Sequence, residues 1–93
     1  MRADVIFEVV TSDRIIRLTQ AQWSHISYRH PELTGRTNAI RDTLLHPLKI
    51  IELNNKKIKY YSYLKEERCF LMVAVRILNH HGFIMTAYFT RKT

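Results

Sequence analysis

The sequence predicts an α+β domain in which two helices pack on a mainly antiparallel sheet, in the order ββααββββ. Runs rich in strand-forming residues, such as "CFLMVAVRIL" at 69–78, indicate β-strands in the second half of the chain. Two segments that end near Pro31 and Pro47 carry apolar residues at helical spacing. Because strands and helices are grouped rather than alternating, we expect an α+β fold, and 93 residues predict one domain over 1–93.

The composition is typical of a folded domain with a modest core, since 46% of the residues are hydrophobic. The single cysteine, Cys69, excludes an internal disulfide, and its apolar surroundings predict a buried core residue rather than a nucleophile. No apolar run approaches the roughly 20 residues that span a bilayer. "VIFEVV" at 5–10 is too short and too acidic for a signal peptide core, so we expect a cytoplasmic protein.

The charge balance indicates an anionic partner. Fifteen Lys and Arg residues oppose eight Asp and Glu residues, which gives a formal net charge of +7. Such an excess attracts polyanions and speeds their encounter, so nucleic acid, an anionic membrane surface or an acidic protein would fit. No basic amphipathic helix stands out in the sequence, and we therefore expect no membrane partner.

The chain begins with a predicted hairpin and a first helix. "DVIFEVV" at 4–10 and "RIIRLT" at 14–19 are joined by a turn composition, and we expect residues 1–3 to be loosely held. Thr19 is the predicted N-cap of a helix from about Gln20 to Arg29. Pro31 disfavours helical geometry at the residue before it, so the helix should end or kink there.

The first helix presents two chemically different sides. On a helical wheel Trp23, Ile26 and a helical His30 share one side, which we expect to face the core. His25 and Arg29 are four residues apart and share another side.

A second helix is predicted over "TNAIRDTLLH" at 37–46, after a break that contains Gly35. Ile40 and Leu44 mark its apolar stripe, and Pro47 ends it. Its remaining polar side chains are expected to stay in water: Arg41, Asp42 and His46, the last of which would stabilise the helix C-terminus.

Four strands should follow the second helix. The predicted strands are "LKIIEL" at 48–53, "IKYYSYL" at 58–64, "CFLMVAVRIL" at 69–78 and "FIMTAYFT" at 83–90, separated by the turns "NNKK", "KEER" and "NHHG". Alternation along the last two strands predicts an apolar face that packs on the helices: Leu71, Val73, Val75, Ile77, Phe83, Met85, Ala87 and Phe89. The opposite face should carry Arg76, Thr86 and Tyr88.

Metal and phosphate-loop motifs are lacking. The sequence has no glycine-rich phosphate loop, no Cys-x-x-Cys and no His-Glu-x-x-His, and the adjacent His80 and His81 predict a solvated turn rather than a metal site. The remaining polar residues suit RNA cleavage without a metal or other cofactor, in which the 2′-hydroxyl of RNA attacks the next phosphorus. Such a site needs a base, an acid and cations, which histidine and arginine supply, and hydroxyl groups that bind the phosphate oxygens.

Each candidate residue has a plain structural alternative. His25 and Arg29 could be an exposed pair, and His30 a buried, hydrogen-bonded histidine. Glu32 could act as a base or bind substrate, or could be a first-turn carboxylate beside a proline. Four residues of the predicted strands could form a substrate site in which tyrosines stack on bases, or they could simply belong to a solvated sheet face. These residues are Arg76, Thr86, Tyr88 and Tyr61.

Several motifs resemble one family. "LTQAQWSHISYRHPEL" at 18–33 resembles the motif of the phage-type barnase–EndoU–colicin–RelE-like (BECR) nucleases, which has Leu-Thr before a helix, Trp-x-His-Ile, and then Arg-His-Pro-Glu. "IRDTLLHPLKI", "KYYSYL" and "FIMTAYFT" resemble the second helix, the tyrosine-rich strand and the closing strand of that family. These resemblances occur in the family's order across residues 14–93.

The resemblance implies a two-helix, curved-sheet fold and metal-independent cleavage of RNA, often by toxins of conflict systems or by phage-derived proteins. It places His25, Arg29, His30 and Glu32 in the first motif, and the last motif supplies two further site residues, Thr86 and Tyr88. RNA is then the expected substrate, and an acidic antitoxin protein is an expected partner.

The sequence and the resemblance together therefore favour an endoribonuclease, and we expect it to be the toxin of a toxin–antitoxin pair. His25 is the first choice for the general acid or base and His30 the second, and one of them should lie within about 10 Å of Thr86 or Tyr88. Arg29 and Arg76 would hold the phosphate, Thr86 would orient it, and Tyr88 would donate a hydrogen bond or stack on a base. Two alternatives are a non-catalytic nucleic-acid-binding or protein-interaction module on the same fold, and a structural protein of a phage particle.

Overall fold

The computed structural model describes residues 4–12, 14–54 and 56–93. Its elements are β1 (Val5–Thr11), β2 (Arg14–Thr19), α1 (Gln20–Arg29), a short 3₁₀ helix (Pro31–Leu33), α2 (Thr37–Leu45), β3 (Lys49–Glu52), β4 (Lys57–Leu64), β5 (Cys69–Leu78) and β6 (His81–Thr90). The order ββααββββ and the α+β class are confirmed. The loose start expected for residues 1–3, and the turn residues Asp13 and Asn55, lie outside the described part.

The six strands form one mixed sheet in the order β1-β2-β6-β5-β4-β3. All neighbouring strands are antiparallel except β2 and β6, which pair in parallel over Ile15–Arg17 and His81–Phe83. The last strand, β6, therefore lies between β2 and β5. It joins the β1–β2 hairpin to strands β3, β4 and β5 in one sheet. Strands β1 and β3 form its two edges.

Helix α1 begins and ends where the sequence predicts. The Thr19 hydroxyl accepts a hydrogen bond from the backbone N–H of Gln22 at 3.2 Å, which satisfies one of the free donors of the first turn. The helix ends at Arg29, because His30 has a non-helical backbone (φ −131°, ψ 72°) ahead of Pro31. As predicted, Ile26 is fully buried on the side that faces the sheet, and Trp23 packs against the core.

Helix α2 packs its predicted stripe against the sheet. Ile40 and Leu44 are fully buried, and the polar residues Arg41, Asp42 and His46 are exposed. The buried hydroxyl of Thr43 donates to the Ala39 carbonyl oxygen at 2.8 Å and lies 2.6 Å from the Ser62 hydroxyl. This pair of hydroxyl groups anchors the helix to β4 without leaving a polar atom unsatisfied.

The core lies between the helices and one face of the sheet, which we call the helix face. Leu71, Val73 and Val75 of β5 are fully buried there, together with Ile84 of β6. Further members come from the other elements: Val9, Ile16, Leu18, Ile26, Leu33, Ile40, Leu44, Ile58, Tyr60, Ile77 and Ala87. Cys69 is buried, as predicted, and no helix among the described residues is long and apolar enough to cross a membrane.

A β-bulge interrupts the alternation of β6. Ala74 of β5 is aligned with Thr86, but the next residue, Val75, is aligned with Ile84. Met85 is therefore an extra residue without an aligned partner on β5. Such a bulge shifts the side-chain alternation by one residue.

The bulge overturns part of the predicted apolar face. Phe83 was expected beside Ala87 on the helix face, and this is wrong, because Ile84 takes that place and is fully buried. Phe83 is half-buried on the opposite face, aligned with Arg76, and the extra residue Met85 is also half-buried. Only the part of β6 after the bulge has the predicted alternation.

The turn before β6 is shorter than the sequence suggests. The strand begins at His81, so two residues of the expected "NHHG" turn belong to β6. Asn79 has a positive φ of 60°, a conformation that asparagine tolerates better than most residues in a tight hairpin turn. Gly82 then lies inside the strand, where an added Cβ would come within 2.9 Å of the Ile77 side chain.

Candidate functional site

The sheet face turned away from the helices, which we call the open face, is rich in aromatic and cationic side chains. Directly opposed residues of neighbouring strands project to the same side, so the strand register assigns its members. The aromatic members are Tyr61, Tyr63, Phe70, Phe83 and Tyr88, and the cationic members are Arg17, Lys49, Lys57, Lys59 and Arg76. The predicted placement of Arg76, Thr86 and Tyr88 on one shared face is confirmed.

The end of α1 meets this face at β6. Strand β2 pairs with β6 only as far as Phe83, and α1 also packs against β6. The His30 ring lies beside the Tyr88 ring, with 5.5 Å between the ring centroids and 41° between the planes. Both residues are half-buried. His30, at the end of the first helix, thus lies within the expected distance of the last strand, and its chemical role stays a prediction.

His30 reaches Tyr88 because it has left the helix. Its backbone is the C-cap of α1, and its N–H still donates to the Ile26 carbonyl oxygen at 2.8 Å. The expectation that a helical His30 would face the core beside Trp23 does not apply to this geometry. Pro31 is the physical reason, since it excludes the helical backbone at the preceding residue.

Glu32 lies beside the imidazole of His30. Its Oε2 atom is 3.8 Å from Nδ1 of His30, which is too long for a hydrogen bond but close enough for an ion pair when the histidine is protonated. The carboxylate is held there by the 3₁₀ helix that follows Pro31. Glu32, His30 and Tyr88 therefore form a series of carboxylate, imidazole and phenol at the end of α1.

Thr86 and Arg76 lie further along the open face. Thr86 precedes Tyr88 by two residues, which corresponds to roughly 7 Å along a strand. Arg76 is four residues from Met72, the partner of Tyr88, and is therefore displaced by roughly 13 Å along β5. The Arg76 and Tyr88 side chains are therefore too far apart to contact one small group without a long reach.

The structure does not bring His25 and Arg29 into this contact. Both side chains are exposed on α1, and His25 lies roughly 7.5 Å along the helix axis from His30. The sequence ranked His25 first, whereas the contact with the last strand is made by His30. Helical spacing alone could not reveal this, because the decisive residue lies just outside the helix.

Tyr61 and Tyr63 differ in what they offer to a ligand. Tyr61 is only 5% exposed, in a row with Met72 and Tyr88 across three strands, so little of its ring could stack on a base. Tyr63 is 48% exposed and packs its ring edge-on against Phe70, with 5.3 Å between centroids. Tyr63 and Phe70 form the more accessible aromatic surface.

Four further cations of the open face were not predicted from the sequence: Arg17, Lys49, Lys57 and Lys59. Lys57 is aligned with Arg76, and Lys59 with Ala74. Alternation along β4 could have placed Lys57 and Lys59 on the same side of the strand. Whether that side faces away from the helices depends on the register between β4 and β5. Together with Arg76 they give the open face a positive potential suited to phosphate groups.

Two ion pairs link neighbouring elements of the fold. Arg17 on the open face pairs with Glu8 of β1. Arg36, at the N-cap of α2, pairs with Glu67 and lies 5.5 Å from the centroid of the Phe89 ring. The hydrogen bond from Arg36 lowers the pKa of the Glu67 carboxyl, and the same bond raises the pKa of Arg36. This pair ties the start of α2 to the turn between β4 and β5.

Tyr60 belongs to the core rather than to the site. It is 3% exposed on the helix face, and burial raises the pKa of its phenol, an effect that the nearby Arg14 opposes by charge and by a hydrogen bond. In the described ranges, no group of three or more His, Cys, Asp or Glu side chains is arranged to hold a metal ion.

Comparisons with known proteins give no relative for this chain. No family model matches the sequence, and neither the curated proteins nor the solved structures include a significant match. The likeness to BECR nucleases accordingly rests on the quoted motifs.

Proposed function

We propose that this protein is a metal-independent endoribonuclease with a BECR-like fold, whose reactive centre is the His30–Tyr88 contact at the rim of the open face. The observation that carries the proposal is this contact, 5.5 Å between ring centroids, which joins the two segments whose motifs resemble the nuclease family. Neither residue is needed to complete the apolar core. Glu32 supports the same interpretation, because it lies 3.8 Å from the imidazole.

In the proposed reaction, His30 accepts the proton of the RNA 2′-hydroxyl while the 2′-oxygen attacks the adjacent phosphorus. The bond from phosphorus to the 5′-oxygen breaks, and the departing 5′-oxygen takes a proton from solvent. The products are a 2′,3′-cyclic phosphate and a free 5′-hydroxyl. Glu32 stabilises the imidazolium that forms, and the Tyr88 hydroxyl donates to a non-bridging phosphate oxygen as its negative charge grows.

The open face supplies the binding surface for the substrate. Lys57, Lys59 and Arg76 would contact successive phosphates, and the exposed ring of Tyr63 offers a stacking surface for an unpaired base. This combination fits single-stranded RNA better than a duplex, whose bases are already stacked on one another. We further propose that the protein acts in the cytoplasm as a toxin, with an acidic antitoxin as the partner that its net charge of +7 would attract.

The second candidate is a non-catalytic RNA-binding module on the same fold. It is favoured by the extent of the open face, whose cations and aromatic rings continue across β4 and β5 well beyond His30. A module of this kind would need the same charges but would not depend on an imidazole beside Tyr88. The two candidates therefore differ in whether bound RNA is cut.

The experiment that separates them is incubation of purified protein with labelled single-stranded RNA in excess EDTA. The proposal expects fragments that end in a 2′,3′-cyclic phosphate or in the 3′-phosphate derived from it. RNA that is bound but intact would favour the binding module. Cleavage that stops with EDTA and returns with magnesium would contradict the metal-independent mechanism.

A further inference from the structure

We propose that the open face carries a second substrate subsite, remote from the His30–Tyr88 contact, in which an unpaired RNA base stacks on Phe83 and its phosphates meet the arginines beside that ring. The inference rests on the proposal that the open face binds RNA, but it does not require that the RNA be cut. Three observations carry it: the β-bulge that turns Phe83 outward, the cations aligned with Phe83, and the exposed apolar side chains next to it.

The β-bulge places Phe83 on the open face. Ile84 takes the place in the core that uninterrupted alternation would give to Phe83, and it is fully buried. Gly82 lies on the helix face, where an added Cβ would meet the buried Ile77 side chain, so its neighbours His81 and Phe83 project to the open face. Bulges often re-aim a side chain beside a functional site. Here the result is a half-buried phenylalanine outside the apolar core.

Cationic side chains lie on both sides of Phe83. Strand pairing aligns Phe83 with Arg76 of β5 on one side and with Arg17 of β2 on the other. Arg76 is aligned in turn with Lys57 of β4. Neighbouring strands are about 4.8 Å apart, so the backbones of the two arginines lie about 10 Å apart with Phe83 between them. Arg17 donates its Nε–H to Glu8, but a guanidinium has five donors and keeps others for a phosphate oxygen.

Exposed apolar side chains form the next row toward the end of the sheet. Leu78 of β5, His81 of β6 and Ile15 of β2 are aligned with one another. Leu78 is 50% exposed, His81 is exposed and Ile15 is half-buried. Rings and apolar side chains beside cations suit an unpaired base, whose faces are apolar and whose backbone is anionic. Six residues form what we call the Phe83 subsite: Ile15, Arg17, Arg76, Leu78, His81 and Phe83.

The Phe83 subsite lies on the same face as the proposed reactive centre. Phe83 is aligned with Arg76, which is displaced by roughly 13 Å along β5 from the partner of Tyr88. The row between them includes Thr86 and Lys59, which continue the polar and cationic surface. A few nucleotides of an extended single strand cover this distance, so one RNA chain can occupy both places. This continuity favours RNA as the occupant of the Phe83 subsite.

The direct test is photo-cross-linking with a single-stranded 2′-O-methyl RNA of about eight nucleotides, a length within the range that single-strand-binding surfaces cover. This probe lacks the 2′-hydroxyl that the proposed cleavage needs, and its bases are 5-iodouracil. Irradiation joins 5-iodouracil to an aromatic ring on which it is stacked, and mass spectrometry of the digested protein locates the new bond. We expect a cross-link at Phe83 that is lost in Phe83→Leu. Cross-links at Tyr63 or Tyr88 without one at Phe83 would overturn the inference.

Affinity for the same probe, without irradiation, measures the contribution of the ring. Phe83→Leu keeps an apolar side chain but removes the flat ring, and it should weaken binding about tenfold, in the range for loss of one base stack. Tyr28→Leu is the matched control, because Tyr28 is 87% exposed on α1, away from the sheet strands, and it should bind like the wild type.

A second pair of variants avoids any change at a half-buried position. Leu78→Glu places a carboxylate within the Phe83 subsite, where it removes an apolar contact and repels phosphate. Leu48→Glu makes the same change of net charge at a leucine that is 67% exposed just before β3. Leu78→Glu should weaken the probe clearly more than Leu48→Glu, while both proteins keep the melting temperature of the wild type.

Failure of this inference and failure of the ribonuclease proposal give different results. A cross-link at Phe83 in a protein that cuts no ordinary RNA would support the Phe83 subsite and contradict the endoribonuclease. Cleavage of ordinary RNA, together with wild-type affinity of Phe83→Leu and equal affinities of Leu78→Glu and Leu48→Glu, would contradict the subsite and leave the endoribonuclease standing.

Discussion

His30 and Tyr88 lie ring beside ring, with 5.5 Å between their centroids, although one ends the first helix and the other lies near the end of the last strand. Strand β6 inserts in parallel beside β2, pairs with it only as far as Phe83, and is also in contact with α1. The proposed chemistry depends on this topology more than on any single element.

The Tyr88 hydroxyl should contribute to cleavage without contributing to RNA binding. Tyr88→Phe keeps the ring beside His30 and removes only the donor to the phosphate oxygen. We expect the single-turnover cleavage rate to fall by about 10²-fold, in the range for loss of one donor to a developing oxyanion. Tyr63→Phe, on an exposed tyrosine of the same face, should keep the wild-type rate. A Tyr88→Phe protein that cleaves normally would remove this hydroxyl from the mechanism.

Arg76 should act through charge on phosphate. Arg76→Ala is expected to weaken RNA binding and to reduce the slope of log affinity against log salt by about 1, because one fewer counterion is released. The control is Arg41→Ala, which removes an exposed arginine of α2. Filter binding at several salt concentrations measures both slopes. Equal effects of the two variants would show that net charge, and not the open face, binds the RNA.

The β-bulge at Met85 can be tested by stability. Ile84 is fully buried on the helix face, so Ile84→Ala should lower the free energy of unfolding by about 2–5 kcal/mol. Phe83 is half-buried on the open face, and Phe83→Ala should cost clearly less despite the larger loss of volume. Urea denaturation followed by circular dichroism measures both. The reverse order would mean that uninterrupted alternation places Phe83 in the core.

The Arg36–Glu67 pair should contribute to stability in a pH-dependent way. The pKa of Glu67 is lowered in the folded protein, mainly by the hydrogen bond from Arg36, so its contribution is complete above the ordinary glutamate range. That contribution is lost as the pH falls from the ordinary glutamate range through the lowered pKa. Glu67→Gln should therefore reduce the melting temperature at pH 7, and its difference from the wild type should shrink steadily as the pH is lowered through the acid range.

A control for this pair is Glu66→Gln, on the adjacent carboxylate that lacks the hydrogen bond to Arg36 and acts on it only through charge. Its effect at pH 7 should be smaller. A difference between Glu67→Gln and the wild type that persists unchanged at low pH would show that the side chain acts through packing and not through its charge.

Local signals in the sequence predicted most of the fold. Thr19 and Pro31 set the limits of α1, Pro47 ends the segment after α2, and alternation identified the strands. Each of these signals affects the structure only within a few residues of its own position in the sequence. The spacing of apolar residues along each helix is also a local signal, and it correctly predicted which side of both helices faces the core.

The features that the sequence could not supply depend on pairing between distant segments. The bulge at Met85 exists only relative to β5, so alternation alone assigned Phe83 to the wrong face. The open-face position of Lys59 likewise required the register of β4 against β5. The choice between His25 and His30 required knowing which strand borders the end of α1.

The central claim is that His30 is the general base of an RNA-cleaving site, and one measurement tests it directly. Single-turnover cleavage of labelled RNA in EDTA is compared for wild type, His30→Gln and the matched control His46→Gln, which alters an exposed histidine at the end of α2. We expect His30→Gln to lose about 10²–10⁴-fold in rate while RNA affinity and melting temperature are kept, and His46→Gln to cleave normally. Wild-type cleavage by a folded His30→Gln protein would contradict it.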